Sequence, residues 1–526
     1  MFNYFIEKAK KKNKPIYLSI QSSSSYWSKK MAQEYLENRR VKELLDKHFI
    51  SIKIDRDERP DIERYYQRVY SLMHRRIGGL PLNIFLTENL EPFYIASYIA
   101  PYAIKEQLGF EELLNVISKK YITDYNTLSK KGQELLEFIE PKEEQIQATK
   151  LNLNIIKTVE KQTVELLDKE YGGFTKAPKF HNATLLELLL DVYLLNKNQN
   201  ILDAVTLTLD NMAKDGFYDV KNGGFYLYAT KEDWSKAYKV KSTYDNALLV
   251  SLYLRAYHIT QNENYKEVAL KTIDFMINER KERKLFKLKD ENYICSWNAL
   301  MVKALFKAGA IDKKYHTYAL ESLEELLTTF YKDGMLYHTE EIRAFLEDYT
   351  ELGEALIVAH QYILDESFLI MATQFTNLII EHHYQHAKWF FSTNEFKVRE
   401  TIYDRTLPSS VSTALSLLLS ISSLVDVNYK KFVFKTLELH SYNLMRQPLA
   451  SPKLTQMVLR YLKDDVIIKS NVNLLKDNID KKERIGYPYI LFKNSTDSTF
   501  QLCNSHSCYA TEQNFDKIIS HLESMV

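Results

Sequence analysis

The spacing of apolar residues changes character near residue 150. Upstream, short β-rich runs alternate with helical ones: Ile16-Tyr17-Leu18-Ser19-Ile20, then Phe49-Ile50-Ser51-Ile52-Lys53-Ile54, then Leu82-Asn83-Ile84-Phe85-Leu86 and, after a polar turn, Pro92-Phe93-Tyr94-Ile95. The stretch between the first two runs, about 28–46, has helical periodicity, and Pro60 suits the first turn of another helix, where its missing N–H costs nothing. The layout β-α-β-α-β-β, closed by a helical tail over about 104–138, predicts a mostly parallel sheet with helices on its faces. The charged run Glu140-Pro141-Lys142-Glu143-Glu144 reads as a linker.

Downstream, strand signals become sparse and helical periodicity takes over. It predicts twelve helices, at about 152–168, 183–197, 199–214, 243–260, 263–280, 296–310, 313–331, 347–363, 366–386, 408–424, 427–445 and 452–463. Some connections are very short, such as Asn196 to Asn200, Thr260 to Asn262 and Gly309 to Lys313, as in tight helical hairpins. Those at about 169–182, 215–242, 281–295, 332–346 and 387–407 are long, and each precedes the same member of a helix pair. That member is also the more apolar one, with Leu185, Leu186, Leu188 and Leu189 in the second helix and Val411, Ala414, Leu415 and Leu417 in the tenth. The fifth helix instead carries one stripe, Ala269, Ile273, Met276 and Ile277. Helices apolar all round are buried and striped ones face outward, so an inner ring within an outer ring is expected, an (α/α)6 toroid. Its long loops would gather around the N-termini of the inner helices, and the functional cleft is expected at that end. The expected division is residues 1–138 as an α/β domain, 150–465 as the toroid and 466–526 as a C-terminal segment.

Composition narrows the function classes. At 526 residues the chain is long enough for two or more domains. Its 70 Lys and Arg nearly cancel 69 Asp and Glu, so no global field attracts nucleic acid or an anionic membrane, and neither is an expected partner. Met1 to Pro15 is too charged for a signal peptide and no apolar run reaches membrane-span length, so a cytoplasmic location is expected. Three cysteines, Cys295, Cys503 and Cys508, are too few for a disulfide framework.

Several stretches, in order, resemble the spermatogenesis-associated protein 20 family, whose bacterial members carry the domain once labelled DUF255. They are Lys14 to Ile20, Ser51 to Ile62, Gly78-Gly79-Leu80-Pro81 with the following strand, Tyr171 to Phe180, Tyr244-Asp245-Asn246-Ala247, Ser296-Trp297-Asn298-Ala299, Phe345 to Tyr349, and Cys503 with Cys508. The resemblance implies a thioredoxin-like N-terminal domain followed by a toroid of six-hairpin glycosidase type; relative to longer family members, the upstream segment is expected to be absent, with the chain starting close to its first strand. It also implies a Cys-x-x-Cys pair after the first strand, where this chain has Ser25-Tyr26-Trp27-Ser28, and a cis bond at Leu80-Pro81. A hydroxyl can neither attack a disulfide nor resolve a mixed one, so dithiol redox activity at Ser25 and Ser28 is excluded. The serine run then reads as a polar turn and helix cap.

Within the toroid, the long-loop end collects Lys176, Lys179, Trp234, Lys241, Tyr244, Trp297, Asn298 and Glu347 as candidate ligand-binding residues. Aromatic faces and hydrogen-bonding groups of this kind suit a sugar. Asp245 with Asp348 or Asp404 are the candidate catalytic carboxylates, since glycoside hydrolysis needs two of them on either side of the bond. Ser242-x-x-Asp245 and Asp348-x-x-Glu351 also match capping boxes, a role compatible with the first. Just upstream of Tyr244, relatives have Pro-His-Phe-Glu-Lys; Tyr238 and Val240 stand at the His and Glu positions, and only Lys241 matches. That departure points to altered or absent catalysis. Cys503 to Cys508 allows a local disulfide or two thiols, and with no second ligand pair nearby neither a metal nor a cofactor is expected. Two readings follow: a protein that binds or processes a carbohydrate-like small molecule, glycosidase- or epimerase-like if an enzyme, or a non-catalytic interaction or scaffold protein whose thioredoxin-like domain engages a protein partner.

Overall fold

The computed structural model describes residues 2–105, 107–139, 147–279, 283–287 and 292–524. The linker expected at 140–144 lies outside the described residues. Two compact units divide the chain, one built mainly from the residues up to 145 and the other from 146 onward.

The first unit runs α1 (Phe2–Lys12), β1 (Ile16–Gln21), α2 (Tyr26–Glu37), α3 (Arg39–His48), β2 (Ile50–Asp55), α4 (Pro60–His74), β3 (Leu82–Leu86), β4 (Pro92–Ala96), α5 (Phe110–Thr123) and α6 (Tyr125–Leu136). Its sheet has the order β2-β1-β3-β4, with β1 parallel to β2 and antiparallel to β3. All five residues of β3 are buried, as a central strand covered on both faces requires, while β2 alternates. The single helix expected over 28–46 is two helices. Asn38 ends α2 and caps α3, its side chain accepting from the N–H groups of Arg40 and Val41. Pro60 opens α4 as expected, and Leu80-Pro81 is cis.

The second unit contains the twelve expected helices: α7 (Ile155–Leu166), α8 (Ala183–Asn196), α9 (Gln199–Met212), α10 (Thr243–Thr260), α11 (Glu263–Glu279), α12 (Cys295–Gly309), α13 (Lys314–Phe330), α14 (Leu346–Ile363), α15 (Glu366–His383), α16 (Ser410–Leu424), α17 (Lys430–Arg446) and α18 (Pro452–Lys463). Helices α8, α10, α12, α14, α16 and α18 each pack on the next, and α18 packs back on α8, closing an inner ring of six. Every residue of α16 is buried, whereas α11 buries only the stripe Tyr265, Ala269, Thr272, Ile273 and Met276. This is the (α/α)6 toroid. Two long loops contain short hairpins, β5 (Tyr331–Lys332) with β6 (Met335–Leu336), and β7 (Tyr384–Gln385), β8 (Lys388–Ser392) and β9 (Val398–Arg399).

The last segment is more ordered than its sequence suggests. It forms β10 (Val466–Ser470), α19 (Val472–Lys476), β11 (Ile490–Asn494), β12 (Phe500–Cys503), β13 (Cys508–Glu512) and α20 (Phe515–Glu523). The sheet order β11-β10-β12-β13, with β10 parallel to β11 and antiparallel to β12, repeats the order and polarity of the first unit's sheet. Cys503 and Cys508 close a disulfide across the β12–β13 hairpin.

Candidate functional site

The serine loop of the first unit is a cap. Ser25 is the N-cap of α2, its Oγ accepting from the Ser28 N–H at 3.3 Å and donating to the carbonyl of Leu80, the residue before cis Pro81, also at 3.3 Å. Ser28 is buried and its Oγ accepts from the Ser22 N–H. Tyr26 and Trp27 are about half exposed, at 52% and 47%.

At the long-loop end of the ring, most of the sequence-selected residues hold the loops to the helices. Two loops share one construction. Asp168-x-x-x-Gly172-Gly173-Phe174 and Asp219-x-x-x-Gly223-Gly224-Phe225 both turn back on themselves, each Asp carboxylate accepting from N–H groups two and three residues on. A lysine then clamps each turn. Lys179 Nζ donates to Asp168 (2.5 Å) and the Gly172 carbonyl (2.6 Å), and Lys241 Nζ to Asp219 (2.9 Å) and the Gly223 carbonyl (2.6 Å). Burial opposes the charge on Asp219, but backbone N–H groups and Lys241 outweigh it and hold the carboxyl well below its usual range. Trp234 is buried against the first clamp, with Nε1 donating to the Tyr171 carbonyl. Asn298 pairs with both backbone groups of Phe286, as Asn246 does with those of Phe225. Tyr244 and Trp297 are buried ring against ring, 4.9 Å between centroids, and Lys176 is exposed.

The three candidate catalytic carboxylates are engaged in the same way. Asp245 accepts from His181 Nε2 at 2.8 Å and from the Ser242 hydroxyl; His181 Nδ1 accepts from the Ala183 N–H, which fixes the Nε2–H tautomer. The Ser242 cap on α10 is present as the spacing predicts. Asp348 accepts from the N–H groups of Ser296 and Phe345 and from His338 Nδ1. The box expected from Asp348 to Glu351 is displaced by one turn: α14 starts at Leu346, Asp348 is its third residue, and Glu351 lies inside the helix, paired with Lys303 at 2.5 Å. Glu347, His338 and Asp348 bring ligand-type atoms within 4.8 Å of one another. Asp404 bridges two inner-helix N-termini by accepting from the N–H of Ser409 (2.8 Å) and of Lys453 (2.7 Å); burial pushes its carboxyl up to about 6 despite those bonds.

The open space lies elsewhere. A cavity of ≈ 440 Å³ sits toward the C-terminal ends of α8, α10, α12 and α14, and none of the sequence-selected residues lines it. The long loops fold down over their own end of the ring. At the other end the connections are short, and residues 482–491 line the cavity together with the helices. The charged lining comes from several elements: Glu187 and Asp191 from α8 with Lys197 at its C-terminus, Arg255 from α10, Lys307 from α12, Lys453 and Arg460 from α18, and Lys482, Glu483 and Arg484 from the C-terminal segment; Lys197 Nζ donates to the Gly486 carbonyl at 3.3 Å.

These groups are partly organised into pairs. Arg255 binds both Glu187 and Asp191. Burial penalises the Glu187 carboxylate, but Arg255 and Lys307 outweigh that and hold its pKa below the usual value. Asp191 also accepts from Gln456 Nε2 (2.9 Å) and Tyr489 OH (3.2 Å), tying the ring to the last sheet. Arg460 makes a bidentate pair with Asp465, at 2.6 and 2.9 Å. Tyr362 OH donates to Glu483 at 2.5 Å, and Lys482 Nζ donates to Gln361 Oε1 at 2.7 Å. Burial lowers Lys482 to about 8 and also lowers His258, whose two ring nitrogens have no hydrogen-bond partner among the described residues. Such a lining can hold a small polar molecule by several directed hydrogen bonds, with Tyr362 and Tyr489 supplying flat apolar faces.

Residues 3–140 match the family described as a protein of unknown function, DUF255. That match is confined to the first unit. It is 31% identical over 287 residues to human (Homo sapiens) spermatogenesis-associated protein 20, covering 53% of this chain and 36% of that protein. The mouse (Mus musculus) protein of the same name is 33% identical over 273 residues, 50% and 34% of the two chains. The chain thus spans about a third of the length of the curated relatives it matches. Similar solved structures include a sugar epimerase from a ruminal bacterium, with 13% identity and a TM-score of 0.45 over 55% of this chain and 86% of that one. A D-mannose isomerase has 11% identity and a TM-score of 0.46 over 59% and 98%. The toroid that follows the first unit rests on the helix packing described above. No described helix is long and apolar enough to cross a membrane.

Proposed function

We propose that the toroid binds a small polyhydroxylated, carbohydrate-like molecule in its axial cavity. The carrying observation is the ≈ 440 Å³ cavity itself, within the usual range for ligand sites, roughly 300–1,000 Å³. Its walls combine guanidinium, carboxylate and amide groups with tyrosine faces, the mixture that hydroxyl arrays and pyranose C–H surfaces require. Binding is the reading supported. The carboxylates favoured by the sequence, Asp245, Asp348 and Asp404, spend their oxygens on helix N-termini, histidines and a serine hydroxyl, while Glu187 and Glu483 are the acids whose side chains reach the cavity with Asp191. A thermal-shift screen against mono- and oligosaccharides tests it. A saturable rise in Tm with at least one polyol, lost in Gln456→Leu, whose Oε1 has no partner among the described residues, is expected, and a flat response across the panel counts decisively against it.

A second reading concerns the first unit, because Tyr26 and Trp27 stand half exposed beside the cis Pro81 loop with no thiol between them. They suit a protein segment laid across that loop. A partner that co-purifies with the full chain and is lost on Trp27→Ala supports this, whereas retention of the same partner by that variant rejects it.

A further inference from the structure

Seven Lys and Arg side chains line the axial cavity against three carboxylates. The carboxylates are not spread evenly among them. Glu187 and Asp191 are both taken by Arg255, and Arg460 is neutralised from behind by Asp465, which is not part of the lining. Glu483 is bound by the Tyr362 hydroxyl. Lys307 and Lys453 have no hydrogen-bond acceptor or carboxylate within ion-pair distance of their ammonium groups among the described residues, although Asp404 as well as Glu187 lies in the field of Lys453. Lys482 uses one N–H on Gln361 and has no carboxylate within ion-pair distance.

An ammonium surrounded by protein without a counter-charge is expensive, because the low-dielectric surroundings return little of the lost hydration. At Lys307 burial lowers the pKa, and the fields of Glu187 and Glu483 do not restore it. It faces groups from several elements: Glu187 on α8, Arg255 on α10, Lys303 on its own helix and Glu483 on the C-terminal segment. Lys453 acts on the same Glu187, and Lys482 on the same Glu483, so the three amines form one neighbourhood. The unpaired ring of His258 lies within the field of Glu483 as well. Such surplus positive charge in a polar cavity is what a bound anion would neutralise.

We infer that the cavity takes an anionic polyhydroxy molecule, a sugar acid or a sugar phosphate, whose charged group is received by Lys307, Lys453 and Lys482. This rests on the carbohydrate reading above and names its charge class. The C-terminal segment is then part of the binding site, since it contributes one of the three amines.

The test uses the full chain and isothermal titration at low and moderate salt with glucose, glucuronate, glucose 6-phosphate and inorganic phosphate. Lys307→Met and Lys482→Gln are the probing variants, and Lys157→Met, exposed on α7, is the surface control. Glucuronate or glucose 6-phosphate should bind at least tenfold more tightly than glucose, and which one wins distinguishes carboxylate from phosphate. Either probing variant should weaken that anion at least tenfold while retaining the wild-type circular-dichroism spectrum, and Lys157→Met should not. Glucose binding as well as its anionic forms, or an anion whose affinity survives both variants, overturns the inference and leaves the carbohydrate reading standing. Inorganic phosphate binding as well as the sugar phosphate keeps the anion site and removes the sugar. No binding by any of the four removes both.

Discussion

Arg460 and Asp465 offer the most direct measure of what holds the ring closed. Arg460 lies on α18, the last inner helix, and is 9% exposed; Asp465, just before β10, is 2% exposed. Besides the bidentate pair, Arg460 donates to the Ser416 carbonyl at 3.1 Å and to Ser420 Oγ at 3.0 Å, both on α16, while Asp465 accepts from Ser423 at 2.7 Å. Burial works against the guanidinium charge, and Asp465 more than compensates, holding its pKa above the usual value. At an effective dielectric constant of about 20, two charges about 4 Å apart attract by about 4 kcal/mol. Removing one of them also leaves the other buried and alone, so Arg460→Met and Asp465→Asn should each cost about 3–5 kcal/mol. Arg460→Met with Asp465→Leu removes both charges and should cost clearly less than the sum of the single changes, a coupling of about 2 kcal/mol or more. Urea unfolding followed by far-ultraviolet ellipticity reports mainly on the toroid, which holds most of the helix, and the double-mutant cycle gives the coupling. Single variants costing under about 1 kcal/mol, or a double variant equal to their sum, would refute the assignment of this pair as a buried, mutually dependent link.

Asp404 has a pKa of about 6, raised from 3.8, so its folded form binds the proton more tightly and its stabilisation is present below about pH 4 and lost as pH rises through 6. The Tm of wild type relative to Asp404→Asn should therefore fall by the equivalent of roughly 1–3 kcal/mol between those limits; a difference that does not vary with pH contradicts this. Lys482, at about 8, is charged below that pH, so anion affinity should weaken as pH rises through 8, with Glu483, Arg460 and Gln361 the groups facing it, and Lys482→Gln should flatten the profile. The protein should not accelerate insulin disulfide reduction above the uncatalysed rate with dithiothreitol, because Ser25 and Ser28 supply no thiolate; appreciable acceleration would overturn the assignment of a disarmed redox loop. Gly172 has φ +67° and a Cβ there would lie 2.6 Å from Thr208 Cα, so Gly172→Ala should cost about 1–3 kcal/mol in thermal unfolding, and an unchanged Tm would show that the turn gives way.

The ring was legible because two independent periodicities coincide in it. The apolar pattern of α16 runs all round the helix while that of α11 is a stripe, and the loop lengths alternate in phase with that difference. The cavity was not legible from motifs, because its polar groups arrive from helices far apart in the chain and no local pattern joins Glu187, Arg255, Lys307 and Gln456. A usable signal existed all the same: each is a charged or polar residue inside an otherwise apolar inner helix, as in Leu185-Leu186-Glu187-Leu188-Leu189-Leu190-Asp191. Such a residue must find a partner or a ligand within the ring. The motifs that drew attention, Tyr171 to Phe180 and the Asp residues at helix starts, are demanding for a different reason. Turns with φ above zero and caps need particular residues whether or not a ligand is present. The last sheet was not legible because the connection from β10 to β11 holds only the five-residue α19 and a short 3-10 turn, not the long helix that marks a β-α-β unit.

The closure of α18 on α8 also bears on how the molecule is made. Asp191 is satisfied by Gln456 and Tyr489, partners 265 and 298 residues further along the chain. At typical elongation rates of about 5–20 residues per second, roughly 15–60 seconds separate the appearance of Asp191 from that of Tyr489. Throughout that interval the nascent arc exposes two open helical edges and, at its centre, carboxylates with incomplete pairing. The open edges of an incomplete ring expose apolar helix faces, so truncation anywhere before β11 should raise aggregation or proteolysis relative to the full chain.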